Sequence, residues 1–150
     1  MKIIVQRSLE SSVSVDKKIV GRIEKGVVLL VGFTPSDTEK EIDYLVKKVL
    51  NLRIFDDEDG VMNKSLLDIN GEVLSISQFT LYGDAKNGNR PSYINAMKGN
   101  EATILFDLFN KKLKELVKVE TGIFGAEMNV SISNDGPVTI ILESEGKKDA

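Results

Sequence analysis

The sequence contains neither cysteine nor histidine among its 150 residues. Without cysteine no disulfide framework can form, and nothing in the composition favours secretion. Catalysis by Ser-His-Asp or Cys-His arrangements is excluded, and so are the nitrogen and sulfur ligands that zinc sites normally use. Any metal site would therefore have to be an all-oxygen site for magnesium or calcium.

The obvious place for an all-oxygen site is the acidic run Asp56-Asp57-Glu58-Asp59-Gly60. This run lacks the alternating ligand spacing and the distal glutamate of a calcium-binding loop. We therefore interpret it as a solvated turn, and we expect no metal and no other cofactor.

Long apolar segments are also missing from the sequence. The longest apolar run, Val27–Val31, is far too short to span a bilayer. The first residues, Met1–Arg7, are typical of a strand rather than of a signal peptide. The sequence thus predicts a cytoplasmic protein without a membrane partner.

The composition that remains is ordinary for a globular protein, with 41% hydrophobic and 29% charged residues. A chain of this length fits one domain, which we assign to residues 1–145, followed by a polar tail over residues 146–150. The net charge of -3 argues against a general nucleic-acid binder. We expect no DNA partner, and any contact with RNA must be local.

Apolar residues that recur at helical spacing predict two amphipathic helices. The first helix can be capped by Asp37 or Thr38, and the second can open at Asn100 with Glu101. The apolar positions are Ile42, Leu45, Val46, Val49 and Leu50 in the first helix, and Ala102, Leu105, Phe109, Leu113 and Leu116 in the second.

The other segments predict strands, because β-branched or alternating apolar residues are bounded there by Gly, Asp or Asn. Asp16-Lys17-Lys18 and Asn134-Asp135-Gly136 are typical of hairpin connections. This order predicts an α+β fold with mostly antiparallel sheets and two main helices packed on one side. The predicted strands cover Met1–Arg7, Ser12–Val15, Val27–Phe33, Val73–Phe79, Val117–Ile123, Met128–Ser133 and Val138–Leu142.

The pair Gly136-Pro137 follows the second of these turn-like segments. A bond before proline can be cis at modest cost, and a preceding glycine has no Cβ to clash with the proline ring. Two neighbouring carbonyl oxygens could then be presented outward together. The alternative is an ordinary turn followed by an edge strand that tolerates proline.

The segment Ser77-Gln78-Phe79-Thr80 ends a predicted strand with hydroxyl and amide side chains rather than with a turn. Thr80 could be a nucleophile, but no lysine or arginine occurs from Ser65 to Ala85 to activate it. A lysine from elsewhere in the fold is still possible. A threonine that is simply favoured in a strand is the other alternative.

Together, Ser77–Thr80 and Asn134–Thr139 resemble the paired signatures of the D-aminoacyl-tRNA deacylases, the D-tyrosyl-tRNA deacylase family, which edits D-amino acids off tRNA. The resemblance covers the chain up to about Glu143 and implies a layered, partly barrel-like domain. Other segments that look like this family, in its order, are Gln6-Arg7, Asn51–Phe55, Met62–Ser65, Gly88–Ser92 and Thr121–Met128.

The resemblance implies an esterase that hydrolyses D-aminoacyl-tRNA, and glycine mischarged on tRNA, without a side-chain base. Backbone N–H groups at Phe79 and Thr80 would stabilise the oxyanion, and the ribose 2′-hydroxyl of the substrate would assist the water. The carbonyl groups of Gly136 and Pro137 would leave no space for an L side chain. The resemblance further implies that this pair reaches into the partner's pocket in a homodimer.

Other residues receive supporting roles from the same resemblance. Arg7 would orient the Gly-Pro carbonyl groups, although an ordinary strand-face arginine is the alternative. The polar lining of the pocket would come from Ser77 and Gln78. Its apolar walls would come from Phe124 and Met128, for which plain core packing is the alternative.

The first candidates for contact with the tRNA acceptor end are Lys86 and Arg90 on the loop after the first signature. Other basic groups are each more often a solvated face than a binding site. Two different functions stay open, a non-catalytic module that binds amino acids or tRNA ends and a Thr80-dependent hydrolase of small molecules. The other basic groups are Lys17, Lys18 and Arg22, and Lys111, Lys112 and Lys114 on the second helix.

Overall fold

The computed structural model describes residues 1–145, so the predicted tail over residues 146–150 lies outside the described residues. The α+β prediction is confirmed, with two α-helices and mostly antiparallel strand pairs among the residues described. In chain order the elements are β1 (Lys2–Ser8), β2 (Ser11–Val15), β3 (Lys18–Ile23), β4 (Gly26–Gly32), α1 (Glu39–Asn51), β5 (Phe55–Asp56), β6 (Met62–Lys64), β7 (Glu72–Ser77), a 3₁₀-helix (Phe79–Tyr82), α2 (Gly99–Lys114), β8 (Val119–Thr121), β9 (Asn129–Ser131) and β10 (Asn134–Glu143).

The main sheet has five strands in the order β10-β1-β4-β7-β8. The pairs β10/β1 and β1/β4 are antiparallel, whereas β4/β7 and β7/β8 are parallel because α1 and α2 lie in the connections between them. A three-stranded sheet has the order β3-β2-β9, and β5 pairs with β6. Both larger sheets are open, and none of the sheets formed by residues 1–145 closes into a barrel.

Each face of the main sheet is covered by a different element. The two helices pack on one face, where Ile3, Leu29 and Val73 point into the larger apolar cluster. Val28 and Leu74, whose side chains alternate to the other face, pack against the three-stranded sheet. The carboxyl end of β7 is therefore enclosed from both sides, by α2 and by the small sheet.

The start of α1 confirms the predicted cap at Thr38. Its hydroxyl oxygen accepts from the backbone N–H of Lys40 at 3.3 Å, while the Glu41 carboxylate accepts from the Thr38 N–H at 2.7 Å. This reciprocal pair is a capping box. The other candidate, Asp37, instead accepts a hydrogen bond from the amino group of Met1 at 2.8 Å.

The predicted start of α2 at Asn100 is wrong. The helix begins at Gly99 because the Lys98 carbonyl already accepts from the N–H groups of Glu101 and Ala102, at 3.1 and 2.8 Å. Lys98 offers no side-chain cap. The predicted apolar position Leu116 lies beyond the end of the helix and is 61% exposed.

Each predicted strand corresponds to an observed one, but the bounds differ and three strands, β3, β5 and β6, were not predicted. The predicted strand Val73–Phe79 ends at Ser77, where the chain turns into the 3₁₀-helix. The strand β3 was not predicted, since Gly21 interrupts its apolar pattern and much of it is exposed. The hairpin predicted at Asp16-Lys17 is present between β2 and β3, with positive φ at both residues.

The hairpin predicted at Asn134-Asp135-Gly136 is wrong. These residues lie at the start of β10, which pairs with β1, while β9 belongs to the three-stranded sheet. The turn signal in the sequence therefore marks an irregularity inside a strand. None of the helices in residues 1–145 is long and apolar enough to cross a membrane.

Candidate active site

A pocket of about 530 Å³ lies where β7 ends and the 3₁₀-helix begins. Its walls come from the ends of β4 and β7, the first turn of α2 and the segment after β8. None of the lining residues, all within residues 1–145, carries a charged side chain. They are Val31, Gly32, Phe33, Ile76, Ser77, Gln78, Phe79, Met97, Gly99, Ala102, Phe124, Gly125, Ala126, Met128 and Val130.

Of the residues predicted for the site, this pocket contains Ser77, Gln78, Phe79, Phe124 and Met128. The first three leave the end of β7 together, whereas Phe124 and Met128 reach the pocket from the segment between β8 and β9. The structure therefore joins two sequence segments that lie far apart along the chain.

The walls also include residues that the sequence did not mark. Gly99 and Ala102 come from the first turn of α2, and Phe33 and Met97 are linked by a hydrogen bond from the Met97 N–H to the Phe33 carbonyl at 3.0 Å. Small and apolar residues of this kind resemble ordinary core positions in a sequence. No sequence signal separates them from the rest of the core.

The backbone at Phe79 and Thr80 carries two unused hydrogen-bond donors. The Gln78 N–H donates to the Val31 carbonyl at 2.7 Å, and the first bond of the 3₁₀-helix runs from the Leu81 N–H to the Gln78 carbonyl at 3.2 Å. Between them, the N–H groups of Phe79 and Thr80 find no acceptor among residues 1–145. The first N–H groups of a helix are free in this way and can bind a developing negative charge.

The Thr80 hydroxyl accepts a short hydrogen bond from the side-chain amide of Gln78. Within the described residues it contacts no basic group, and Thr80 does not line the pocket. An amide cannot take a proton from the hydroxyl, so this geometry supplies no activator for a threonine nucleophile.

A titratable hydroxyl belongs to Tyr82, at the other end of the 3₁₀-helix. Burial, together with a hydrogen bond of 2.6 Å to the Glu145 carboxylate, raises the pKa of Tyr82 above its ordinary value. The phenol is therefore protonated near neutral pH and does not serve as a base.

Gly122 explains how Met128 reaches the pocket. A Cβ on residue 122 would lie 2.4 Å from the Met128 sulfur, so the methionine side chain would have to move. Glycine at this position lets the methionine lie against the sheet as it does here.

Gly136 and Pro137 lie outside this pocket, on the exposed edge of the main sheet. The peptide bond between them is cis. In the pairing of β1 with β10, Gln6 opposes Thr139 and Ser8 opposes Asn134, so that residues 135–138 stand opposite Arg7 alone. This bulge pushes the Gly-Pro pair away from the sheet.

Arg7 holds this bulge from below. It is only 9% exposed, and its Nε donates to the Asp135 carbonyl at 3.2 Å while Nη1 donates to the Ile54 carbonyl at 2.9 Å. The carboxylates of Asp135 and Asp56 lie 3.3 and 3.5 Å from the guanidinium. A Cβ on Gly136, whose φ is 122°, would come within 3.0 Å of Nη2. The guanidinium thus packs directly against the glycine.

The side chain of Asn134 closes the same bulge from its rim. Its oxygen accepts from the Val138 N–H at 3.3 Å, and its amide nitrogen donates to the Thr139 hydroxyl at 3.0 Å. Together with Arg7, it fixes the segment at both ends.

Lys86 and Arg90 lie on the exposed loop after the 3₁₀-helix, outside the pocket. Lys86 is 3.7 Å from the Asp84 carboxylate. The loop is connected to the pocket through Tyr93, whose ring meets that of Phe79 edge to face at 5.2 Å. The two basic residues are therefore not part of the pocket walls.

The acidic run Asp56–Gly60 forms the exposed turn between β5 and β6. One Asp57 oxygen accepts from the N–H groups of Asp59 and Val61, at 2.9 and 3.0 Å, and the hydrogen bond from Val61 is the main reason that the pKa of Asp57 is lowered. The carboxylate is thus used to order its own turn.

Comparison with known proteins agrees with this arrangement over nearly the whole chain. Residues 4–143 match the family described as D-Tyr-tRNA(Tyr) deacylase. A protein of Bacillus cytotoxicus named D-aminoacyl-tRNA deacylase is 56% identical over 146 residues, which cover 97% of this chain and 100% of the relative.

Two solved structures share the fold. One is described as "c-Myc DNA Unwinding Element Binding Protein", with a TM-score of 0.89 and 43% identity, covering 96% of this chain and 99% of the other. The second is described as "Structural Analysis of a probable eukaryotic D-amino acid tRNA deacylase", with a TM-score of 0.81, covering 94% and 97% of the two chains. At 17% identity, this second likeness concerns the fold alone.

Proposed function

Because this chain belongs to the D-Tyr-tRNA(Tyr) deacylase family and is a hydrolase of ester bonds in aminoacyl-tRNA, we propose that it removes D-amino acids from tRNA with help from the tRNA itself. The observation that carries this mechanism is an uncharged pocket with two unused N–H groups at its edge. The site offers stabilisation of negative charge and no side-chain base among the described residues.

The chemical step then has two contributors. The N–H groups of Phe79 and Thr80 stabilise the oxyanion that forms when water attacks the ester carbonyl. The 2′-hydroxyl of the terminal ribose orients or activates that water. An aminoacyl ester is already an activated acyl group, so this assistance is sufficient without a histidine.

The experiment compares three substrates with purified protein. We expect release of tyrosine from D-tyrosyl-tRNA, no release from L-tyrosyl-tRNA, and loss of release when the tRNA ends in 2′-deoxyadenosine. The variant Thr80→Ala keeps the backbone N–H and is expected to keep its activity. Binding without hydrolysis would favour the non-catalytic module, and loss of activity in Thr80→Ala with full activity on the deoxy substrate would favour a threonine nucleophile.

Selectivity for the D configuration is proposed to come from Gly136 and Pro137 of a second copy of the chain. Both residues are exposed and contribute nothing to the pocket of their own chain. The main-chain oxygens of this pair would accept from the substrate ammonium and occupy the space that an L side chain needs. Glycine has no side chain to exclude, so glycyl-tRNA should also be hydrolysed.

The same sheet edge supports a homodimer. Ile141 on β10 is 65% exposed, and it stands in register with Ile4, which is in turn in register with Leu30. This row crosses the face of the sheet and ends on the edge strand β10, and an exposed apolar side chain there is suited to association with a second copy. Sedimentation should therefore give twice the monomer mass.

A mixing experiment tests whether the Gly-Pro pair acts across subunits. A Phe79→Pro variant has a damaged pocket, and a Gly136→Ala variant has a damaged bulge. A heterodimer of the two contains one intact site only if the pair from one chain enters the pocket of the other. A D/L ratio of kcat/KM that is higher for the mixture than for Gly136→Ala alone is the expected result, and a ratio no higher than that of Gly136→Ala would place the two parts of the site in one chain.

Contact with the tRNA acceptor end is proposed to be local, at Lys86 and Arg90 on the exposed loop after the 3₁₀-helix, in agreement with the net charge of -3. We place the activity in the cytoplasm, where aminoacyl-tRNA is made. One relative is named for binding a DNA element, but the acidic balance of this chain gives no reason to extend that name to it.

A further inference from the structure

A second cavity, of about 330 Å³, lies beside the first and shares one wall with it. The shared wall is Phe124, which lines both. The second cavity also contains Phe106, Asn110, Lys111, Lys114 and Thr121, and nothing in the mechanism above uses it.

The helix α2 connects the two cavities. Gly99 and Ala102 line the first, while Phe106, Asn110 and Lys114 line the second. Residues spaced by three or four positions share one face of a helix. From Ala102 to Lys114 this stripe extends for about 18 Å at the usual helical rise. A ligand that starts in the first cavity and follows the stripe must be longer than a single nucleoside.

The lining of the second cavity contains a buried amide with an unused acceptor. Asn110 is only 5% exposed, and its side-chain oxygen accepts no hydrogen bond within the described residues. An unpaired buried amide is costly unless something supplies its hydrogen bonds, and its oxygen and nitrogen can exchange places by a rotation.

The rim of this cavity is basic. Lys111 and Lys114 are exposed, and neither forms an ion pair within residues 1–145. Their neighbour Lys112 differs, since its ammonium binds Glu39 at 2.8 Å and also binds Asp43. Asp107 is the one carboxylate among the lining residues, so two positive charges face one negative charge.

An aromatic wall, an amide with free hydrogen-bonding capacity and two unpaired lysines are what a single-stranded nucleotide requires. The Phe124 ring lies 5.9 Å from the Phe106 ring and is partly exposed between the cavities. Bases stack on such rings, amides bind base edges and lysines follow the phosphates. We propose that this cavity binds the nucleotide that precedes the terminal adenosine of the tRNA, an inference that rests on the proposed function.

The test uses two substrates that differ only in this nucleotide. D-tyrosyl-adenosine reaches the first cavity alone, and D-tyrosyl-tRNA reaches both. The double variant Lys111→Glu/Lys114→Glu is expected to raise KM for D-tyrosyl-tRNA several-fold with kcat unchanged, and to leave both constants unchanged for D-tyrosyl-adenosine. The slope of log KM against log salt concentration should fall by about 1.4, at roughly 0.7 for each phosphate contact on a single strand.

Two further variants separate this role from structural effects. Asn110→Leu keeps the volume of a buried side chain and removes the unpaired amide, so it should remain folded and raise KM for the tRNA substrate only. Lys40→Glu/Lys47→Glu makes the same change of charge on the exposed face of α1 and should change neither constant. Equal effects on both substrates, or an equal effect from the α1 control, would overturn the proposal.

Failure of the proposed function can be distinguished from failure of this inference. If the wild type hydrolyses neither substrate, binding of a fluorescent RNA oligonucleotide ending in CCA is measured by anisotropy. If the wild type binds this oligonucleotide, and Asn110→Leu and Lys111→Glu/Lys114→Glu do not, the proposed nucleotide site is supported although the esterase activity is not. If the wild type does not bind the oligonucleotide, the proposal of a nucleotide site is overturned as well.

Discussion

The pocket at the end of β7 and the bulge at Gly136-Pro137 are built on opposite physical principles. The pocket is concave, is enclosed by α2 and the small sheet, and leaves two N–H groups without partners. The bulge is convex and exposed, and Arg7 and Asn134 hold its backbone by hydrogen bonds at both ends. The first region thus has unused binding capacity, and the second has rigid shape. In the proposed function the pocket binds charge and the bulge excludes volume, so that each chain would carry two unlike halves of a site.

The largest effect is expected from removing a free N–H group of the pocket. Phe79→Pro deletes the donor at the first position of a helix, where proline is tolerated, and Gln78 before it lies outside the α region, with φ -144° and ψ 82°. Loss of one oxyanion donor should lower kcat by ~100- to 1,000-fold. Single-turnover hydrolysis of D-tyrosyl-tRNA measures this decrease in the rate of the chemical step.

Phe79→Ala is the matched control for this change, because it removes the same ring and keeps the N–H. It should retain most of the kcat that Phe79→Pro loses. Equal losses in the two variants would show that the ring, rather than the backbone donor, is what the pocket contributes.

A change in the bulge should affect selectivity instead of the rate of the chemical step. Gly136→Ala places a Cβ 2.9 Å from Val138 and 3.0 Å from the Arg7 guanidinium, at a φ of 122°. We expect a loss of about 1–3 kcal/mol in the free energy of unfolding, and a lower ratio of kcat/KM between D- and L-tyrosyl-tRNA.

Gly60→Ala is the control for backbone strain alone. Gly60 also has a positive φ, of 75°, but a Cβ there meets nothing within 4 Å. This variant should lose stability and keep its selectivity. A change of selectivity in both variants would remove the special role of the bulge.

A smaller effect is expected from the residue beneath the bulge. Arg7→Lys keeps the charge but cannot reach the Asp135 and Ile54 carbonyls together, so the loss of hydrogen bonds to a charged group should cost about 1.5–3 kcal/mol. Urea denaturation measures this loss, and the D/L ratio should fall less than in Gly136→Ala. Undiminished stereoselectivity would show that Arg7 only packs the strand.

The smallest effect should come from a site outside both regions. Thr38→Ala removes the hydroxyl of the capping box and should cost about 1 kcal/mol of stability. Thr38→Ser keeps a hydroxyl acceptor and should therefore have the stability of the wild type. Thermal denaturation gives the difference, and kcat and selectivity should stay at the values of the wild type in both variants.

The sequence allowed the helices to be predicted because their information is local. The Thr38 cap and the apolar stripe of α1 follow from spacing within a few residues. Leu116 shows where this reasoning fails, since its spacing fits α2 although the helix ends at Lys114. The strand β3 was missed for a related reason, because an exposed edge strand with a glycine has little apolar alternation.

The candidate site could be predicted only in part. Ser77, Gln78, Phe79, Phe124 and Met128 were marked by segments that look like a known family, and they do line one pocket. Gly99, Ala102 and the second cavity had no such signal, because the packing of α2 beside the segment after β8 creates them. The turn expected at Asn134–Gly136 became a bulge, since pairing with β1 overrode the local preference.

The sequence by itself determined which chemistry is unavailable to this protein, since a chain without histidine and cysteine has no ordinary base or strong nucleophile wherever its residues lie. It also determined the two amphipathic helices, because the spacing of their apolar residues is a local pattern. Only the tertiary structure decided that β7 stops at Ser77 beside a pocket and leaves two N–H groups without an acceptor among residues 1–145, and that the Gly-Pro pair lies outside that pocket. Those outcomes depend on contacts between segments far apart in sequence, and no local pattern encodes such contacts.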